Sequence, residues 1–170
     1  MSKARLKKEL EGMTREQLID IVLNVYTARK EAREYFEFFL DPDCEKLLYK
    51  YIEMIRKEVS RSKRGSYAKF KISAIKRMIK DFEGFDPGAE YVLKLRVYTF
   101  SAIMMYSRVL YYSDTQDNAA VAMARSILEY SDTHCLYDRA ARTLSDILAD
   151  ENASAPYLRQ FVRNALEPGD

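Results

Sequence analysis

Helix-breaking residues are scarce in this chain, and they fall in only a few places. Its five Gly and four Pro occupy Gly12, Pro42, Gly65, Gly84, Pro87, Gly88, Pro156 and the tail Pro168-Gly169. Between them run long stretches in which apolar residues return every three or four positions, the period of a helix with one buried face. No stretch keeps up the alternation of a half-buried strand. A chain so short of breakers favours helices over many short strands. The expected fold is all-α, an antiparallel bundle or a short stack of helical hairpins with about seven or eight helices. With 170 residues and 48% hydrophobic content, the chain is long enough for one substantial core, read as a single domain over 1–170.

A short first helix is expected at about 3–10, stopped near Gly12. Thr14 and Gln17 form a capping box that opens a long second helix, with Leu18, Ile21, Val22, Val25, Ala32, Phe36 and Phe39 on its apolar stripe. Asp41-Pro42 reads as its stop and as the cap of a third helix reaching about Ser62, with Leu48, Ile52, Ile55 and Val59 facing inward. After the polar break Ser62–Ser66, a fourth helix is expected from about Tyr67 to Glu83, ended by Gly84, so that a basic helical hairpin spans about 43–83. Asp86-Pro87 repeats the cap-plus-proline opening for a helix reaching Tyr112. Its Val97–Ser107 segment carries no charge, is too short to span a bilayer, and reads as a buried central helix. Three shorter C-terminal helices follow, at about 116–130, 135–149 and 155–166, opened by Ser113 with Gln116 and by Ser154 before Pro156. Val109–Thr115 (VLYYSDT) and Ile127–Thr133 (ILEYSDT) read as one helix end with a cap-rich turn, used twice.

Charge is distributed unevenly along this scaffold. Residues 56–80 hold ten Lys and Arg against a single acid, Glu58. Residues 1–55 hold 10 basic and 11 acidic side chains, and residues 81–170 hold 8 and 14. A net charge of +2 hides this asymmetry. On a helical wheel for 67–83, Ala68, Ile72, Ile75, Ile79 and Phe82 share the core arc, while Lys69, Lys76 and Lys80 share another, with Arg77 further round. Arg61, Lys63 and Arg64 precede that helix, and Arg56 and Lys57 end the one before. These nine cations form the candidate binding surface. A solvated helical face is the bland explanation of such a run. The functional one is attraction to an acidic protein surface or to the phosphates of a nucleic acid.

Other chemistry finds little support. His134 is the single histidine, which excludes a multi-histidine metal site. Cys44 and Cys135 lack metal or redox spacing and read as reduced thiols of a cytoplasmic protein. Asp114, Asp117, Asp132 and Asp138 suit helix capping better than a divalent cation. There is no phosphate loop, dinucleotide fingerprint or nucleophile elbow. Neither a zinc-finger spacing nor an aromatic RNA-recognition signature is present. The basic segment lacks the broad apolar face of a membrane-inserting helix. Four aromatics among Glu34–Leu40 must be covered nearly all round, by the chain's own helices or by a second copy in a homodimer.

Three segments, LKKELEGMTREQLIDIVLNVY (Leu6–Tyr26), EYFEFFLDPDCEKLL (Glu34–Leu48) and the KRG turn at Lys63–Gly65, resemble a domain-of-unknown-function family of small, all-helical bacterial proteins. The resemblance implies a compact helical domain and carries no functional residue with it. The residues therefore point to a non-enzymatic, cofactor-free helical module. Its expected partner is an acidic protein bound through Arg56, Lys57, Arg61, Lys63, Arg64, Lys69, Lys76, Arg77 and Lys80, with nucleic acid as the alternative.

Overall fold

The computed structural model describes residues 2–64 and 66–167, so Gly65 of the KRG turn and the tail Pro168-Gly169 lie outside the described residues. Among the described residues the fold is all-α, with nine helices rather than seven or eight, and one two-stranded ribbon. Two compact units divide it, Met1–Asp43 and Cys44–Asp170.

The first unit holds α1 (Lys3–Glu11), α2 (Arg15–Ala28) and α3 (Lys30–Leu40). Thr14 opens α2 as expected: its Oγ1 accepts the Gln17 N–H at 3.3 Å, and the Gln17 side chain accepts the Thr14 N–H at 2.9 Å. The long second helix is in fact broken at Arg29, whose extended backbone (φ −130°, ψ 119°) ends α2 and starts α3. That one residue lets α3 fold back on α2. The Tyr26 and Phe36 rings meet at 6.5 Å, and the Arg33 guanidinium lies 5.5 Å from the Tyr26 ring centre. No glycine or proline marks the break, so tertiary contact rather than a local stop signal produces it. The aromatic end of α3 is less covered than its sequence suggested, with Tyr35, Phe39 and Leu40 exposed.

The second unit comprises α4 (Cys44–Val59), β1 (Ser62–Lys63), β2 (Tyr67–Ala68), α5 (Ile72–Glu83), α6 (Ala89–Tyr106), α7 (Asp114–Thr133), α8 (Tyr137–Ala149) and α9 (Pro156–Leu166). α6 is the central helix, packed on α4, α5, α7 and α8. Phe100, Leu95, Ile103 and Met104 of α6 are fully buried, beside Ile55 and Val59 of α4, Ile75 and Phe82 of α5, and Met123 and Ile127 of α7. α9 lays Leu158 and Val162 against α7. No helix is long and apolar enough to cross a membrane among the described residues.

Several helix openings differ from expectation. α4 begins at Cys44, two residues beyond Pro42, while Asp41 ends α3. Asp86 has a positive φ of 54°, and Gly88 (φ 96°) precedes α6 in its place. α9 is preceded by Ala155, and the Ser154 hydroxyl is buried without a hydrogen bond among the described residues. The two YSDT segments adopt different structures, because the first leads into the start of α7 and the second ends it. Asp114 and Asp132 thus stand about 27 Å apart along one helix and do not gather around a common ion.

Candidate functional site

The largest departure from the sequence reading lies in the basic segment. In place of a fourth helix opening at Tyr67, the chain forms a β-hairpin, and the helix begins only at Ile72. Ser62 pairs with Ala68 and Lys63 with Tyr67, and the Lys69 N–H donates to the Arg61 carbonyl at 2.8 Å, which extends the ladder by one pair. Arg64, at φ 51°, enters the turn. Residues opposite one another in an antiparallel ladder share a face, and so do alternate residues along a strand. Arg61, Lys63, Tyr67 and Lys69 therefore lie on one face of the ribbon, and Ser62 and Ala68 on the other. Lys69 belongs to this face and not to the helical stripe, and Ala68 is not part of the core arc of α5.

A third segment completes the ribbon. The Tyr111 N–H donates to the Ser66 carbonyl at 2.7 Å, and the Ala68 N–H donates to the Tyr111 carbonyl at 2.9 Å, a parallel bridge between Tyr67 and Tyr111. This is why α6 ends at Tyr106 instead of Tyr112. The backbone groups of Tyr111 are spent on the hairpin, and the turn between is held by Ser107, whose hydroxyl accepts the Ala155 N–H at 2.9 Å. The Tyr67 and Tyr111 rings meet at 5.6 Å and 42° and are exposed by 62% and 67%.

Glu58, the single acid of the segment, fixes the hairpin to the helices on either side. Its side chain is buried near the end of α4. Oε1 accepts the Lys71 N–H at 2.9 Å, just before α5, and Oε2 accepts Arg61 Nη1 at 2.8 Å. A buried carboxylate requires such partners. Gln116 acts from the other side: its Oε1 accepts the Ser113 N–H at 3.2 Å, and its Nε2 donates to the Phe70 carbonyl at 3.4 Å.

All nine sequence-predicted cations are exposed, but they do not carry equal charge outward. Arg56 meets Glu53 at 2.7 Å, Arg61 meets Glu58 at 2.8 Å, and Arg77 lies 3.8 Å from Asp81. The Arg56 guanidinium holds the Glu53 carboxyl below its ordinary range. Among the described residues, Lys57, Lys63, Arg64, Lys69, Lys76 and Lys80 make no ion pair. Lys57 sits on the last turn of α4, and Lys63, Arg64 and Lys69 on the hairpin. Lys76 and Lys80 stand four residues apart on α5, flanking its buried Ile75 and Ile79.

Beside the hairpin opens a partly enclosed cavity of about 430 Å³, lined by Ser66, Arg108, Tyr111, Tyr112 and Tyr157 among others. The Tyr112 hydroxyl donates to the Ile103 carbonyl at 2.6 Å, and burial drives its pKa far upward. The Tyr157 hydroxyl donates to Asp117 Oδ1 at 3.3 Å, and burial beside that carboxylate pushes its pKa up to about 12. Desolvation likewise raises Asp117. Sequence reasoning missed Tyr111 and this cavity, and the only local hint was the adjacent tyrosine pair in VLYYSDT.

A family of unknown function, DUF6155, matches residues 1–134. The chain belongs to that family. The DUF6155 match spans the first unit, the hairpin with every candidate cation, and α4 to α7, ending at His134 just after α7. No curated protein and no solved structure matches the chain with significance.

At that boundary, His134 Nδ1 donates to the Tyr130 carbonyl at 2.8 Å, and its ring stacks on Tyr130 at 4.0 Å. Cys135 follows at φ 58°, in the left-handed position that closes α7. This is end-of-helix geometry.

Proposed function

We propose that this DUF6155 protein is a non-catalytic binding module that takes the phosphate backbone of a nucleic acid on the lysine-bearing surface of the β-hairpin and α5. The observation that carries the reading is the sorting of the cations. Of the nine candidates, three arginines are matched to carboxylates, and the six left without an ion pair among the described residues are five lysines and Arg64. Protein–protein interfaces are enriched in arginine and depleted in lysine. Phosphate backbones are met by arginine as a planar fork or by lysine as a point charge, and release of condensed counterions supplies the affinity. A rigid frame also favours the reading, because Glu58 and Gln116 fix the backbone that carries these side chains. The protein acts in the cytoplasm, with Cys44 and Cys135 as thiols.

An acidic protein partner is the second reading. The exposed Tyr67 and Tyr111 beside cations favour it, since tyrosines are frequent interface hot spots. The deciding experiment titrates the full chain with a labelled oligonucleotide at several salt concentrations. Affinity should fall with salt, with a logarithmic slope of about −0.7 for each phosphate neutralised on a single strand. Reversing Lys69, Lys76, Arg77 and Lys80 to Glu should abolish capture while the helical circular-dichroism signal stays intact. Absence of any oligonucleotide affinity at low salt would refute the phosphate reading and leave the acidic protein. Undiminished binding by the fourfold variant would remove this surface from both.

A further inference from the structure

We infer that the Tyr67–Tyr111 pair and the cavity beside it form a base-stacking site, so that the nucleic acid taken by this surface is single-stranded. The inference rests on the phosphate reading above and specifies its ligand. Tyr67 shares one ribbon face with Arg61, Lys63 and Lys69, and the parallel bridge puts Tyr111 next to it. Two aromatic rings thus stand in water, tilted at 42° with centres 5.6 Å apart, alongside Lys63 and Lys69, which make no ion pair among the described residues. Exposed aromatics next to a track of positive charge are the two components of single-strand recognition: the rings stack on bases and the cations follow the backbone. A duplex keeps its base faces stacked inside and offers these tyrosines nothing to stack on.

The cavity adds a second observation. Tyr111 lines it, and its volume of about 430 Å³ lies in the range of small-ligand sites. Its wall chemistry suits a base better than a phosphate. The Tyr157 hydroxyl on that wall is tied to the Asp117 carboxylate, and Arg108 is turned to the Asn152 carbonyl at 2.5 Å. A carboxylate behind the wall opposes a phosphate group and tolerates the amino groups of a base. The phosphates then belong on the lysine face and a base belongs in the cavity.

The test measures fluorescence anisotropy of labelled 12-nucleotide single-stranded RNA, single-stranded DNA and the matching DNA duplex with the full chain at fixed low salt. Wild type should prefer either single strand to the duplex. Tyr67→Ala and Tyr111→Ala should each weaken single-strand binding about tenfold. Tyr67→Phe and Tyr111→Phe should retain it, since they keep the ring. The salt slope should be unchanged in the alanine variants and shallower in Lys63→Gln with Lys69→Gln. Melting temperatures within about 2 °C of wild type would show that the alanine variants are folded. Full-strength binding by folded alanine variants, with loss in the lysine variant, would overturn stacking while the phosphate reading stands. Equal affinity for duplex and single strand would also overturn stacking. Absence of all binding by wild type would overturn both.

Discussion

Glu58→Ala tests whether one buried carboxylate holds the hairpin in place. The substitution removes the acceptor of the Lys71 N–H at 2.9 Å and of Arg61 Nη1 at 2.8 Å. A hydrogen bond to a charged acceptor contributes about 2 kcal/mol. The Arg61 arm is half exposed, so solvent screening limits it to about 1 kcal/mol or less. Together the loss is about 3 kcal/mol. At roughly 3–4 °C per kcal/mol for a unit of this size, the melting temperature should drop by about 9–12 °C. Glu58→Gln is the informative partner, because its carbonyl oxygen still accepts the Lys71 N–H while the charge on Arg61 is left unmatched. It should lose only about 1 kcal/mol. Thermal melts followed by circular dichroism at 222 nm measure both variants. Hydrogen exchange then asks whether the Lys69 and Tyr111 amides lose protection in Glu58→Ala. If Glu58→Ala melts within about 2 °C of wild type, or if the two variants are equally destabilised, the Glu58 carboxylate does not hold the hairpin through Lys71 and Arg61.

The remaining predictions concern stability at two other sites. Cys135 occupies the left-handed position after α7, where the Leu136 N–H donates to the Ser131 carbonyl at 2.8 Å, so Cys135→Gly should stabilise the protein by about 0.5–1 kcal/mol, read as a higher denaturation midpoint. Ser154 has a buried hydroxyl with no partner, so Ser154→Ala should be neutral or stabilising by up to about 1 kcal/mol in the same assay.

The class of fold and much of its punctuation are legible in the residues alone. Periodic apolar residues at a spacing of three and four lead to helices whichever neighbours they find, because that pattern needs only one face to bury. Hence Val97–Ser107 lies almost entirely within the central helix α6, Gly84 closes α5, and the Thr14 box opens α2. The accumulation of cations at 56–80, with Glu58 alone among them, was equally plain, since charge is a property of composition and needs no contact to be counted.

Where those charges stand is set by contacts between distant parts of the chain. Local patterns cover three or four residues. The hairpin is written in the hydrogen bonds of the Tyr111 N–H to the Ser66 carbonyl, of the Ala68 N–H to the Tyr111 carbonyl and of the Lys71 N–H back to Glu58. Once Tyr111 supplies partners for that backbone, Tyr67–Phe70 has no need of a helix, Lys69 leaves the helical stripe, and α6 stops at Tyr106, short of Tyr112. The same holds at Arg29, where one extended residue earns its place through the contact of Tyr26 with Phe36. Which cations are matched by a carboxylate depends on chain geometry, because an ion pair is a matter of a few ångströms that composition cannot contain.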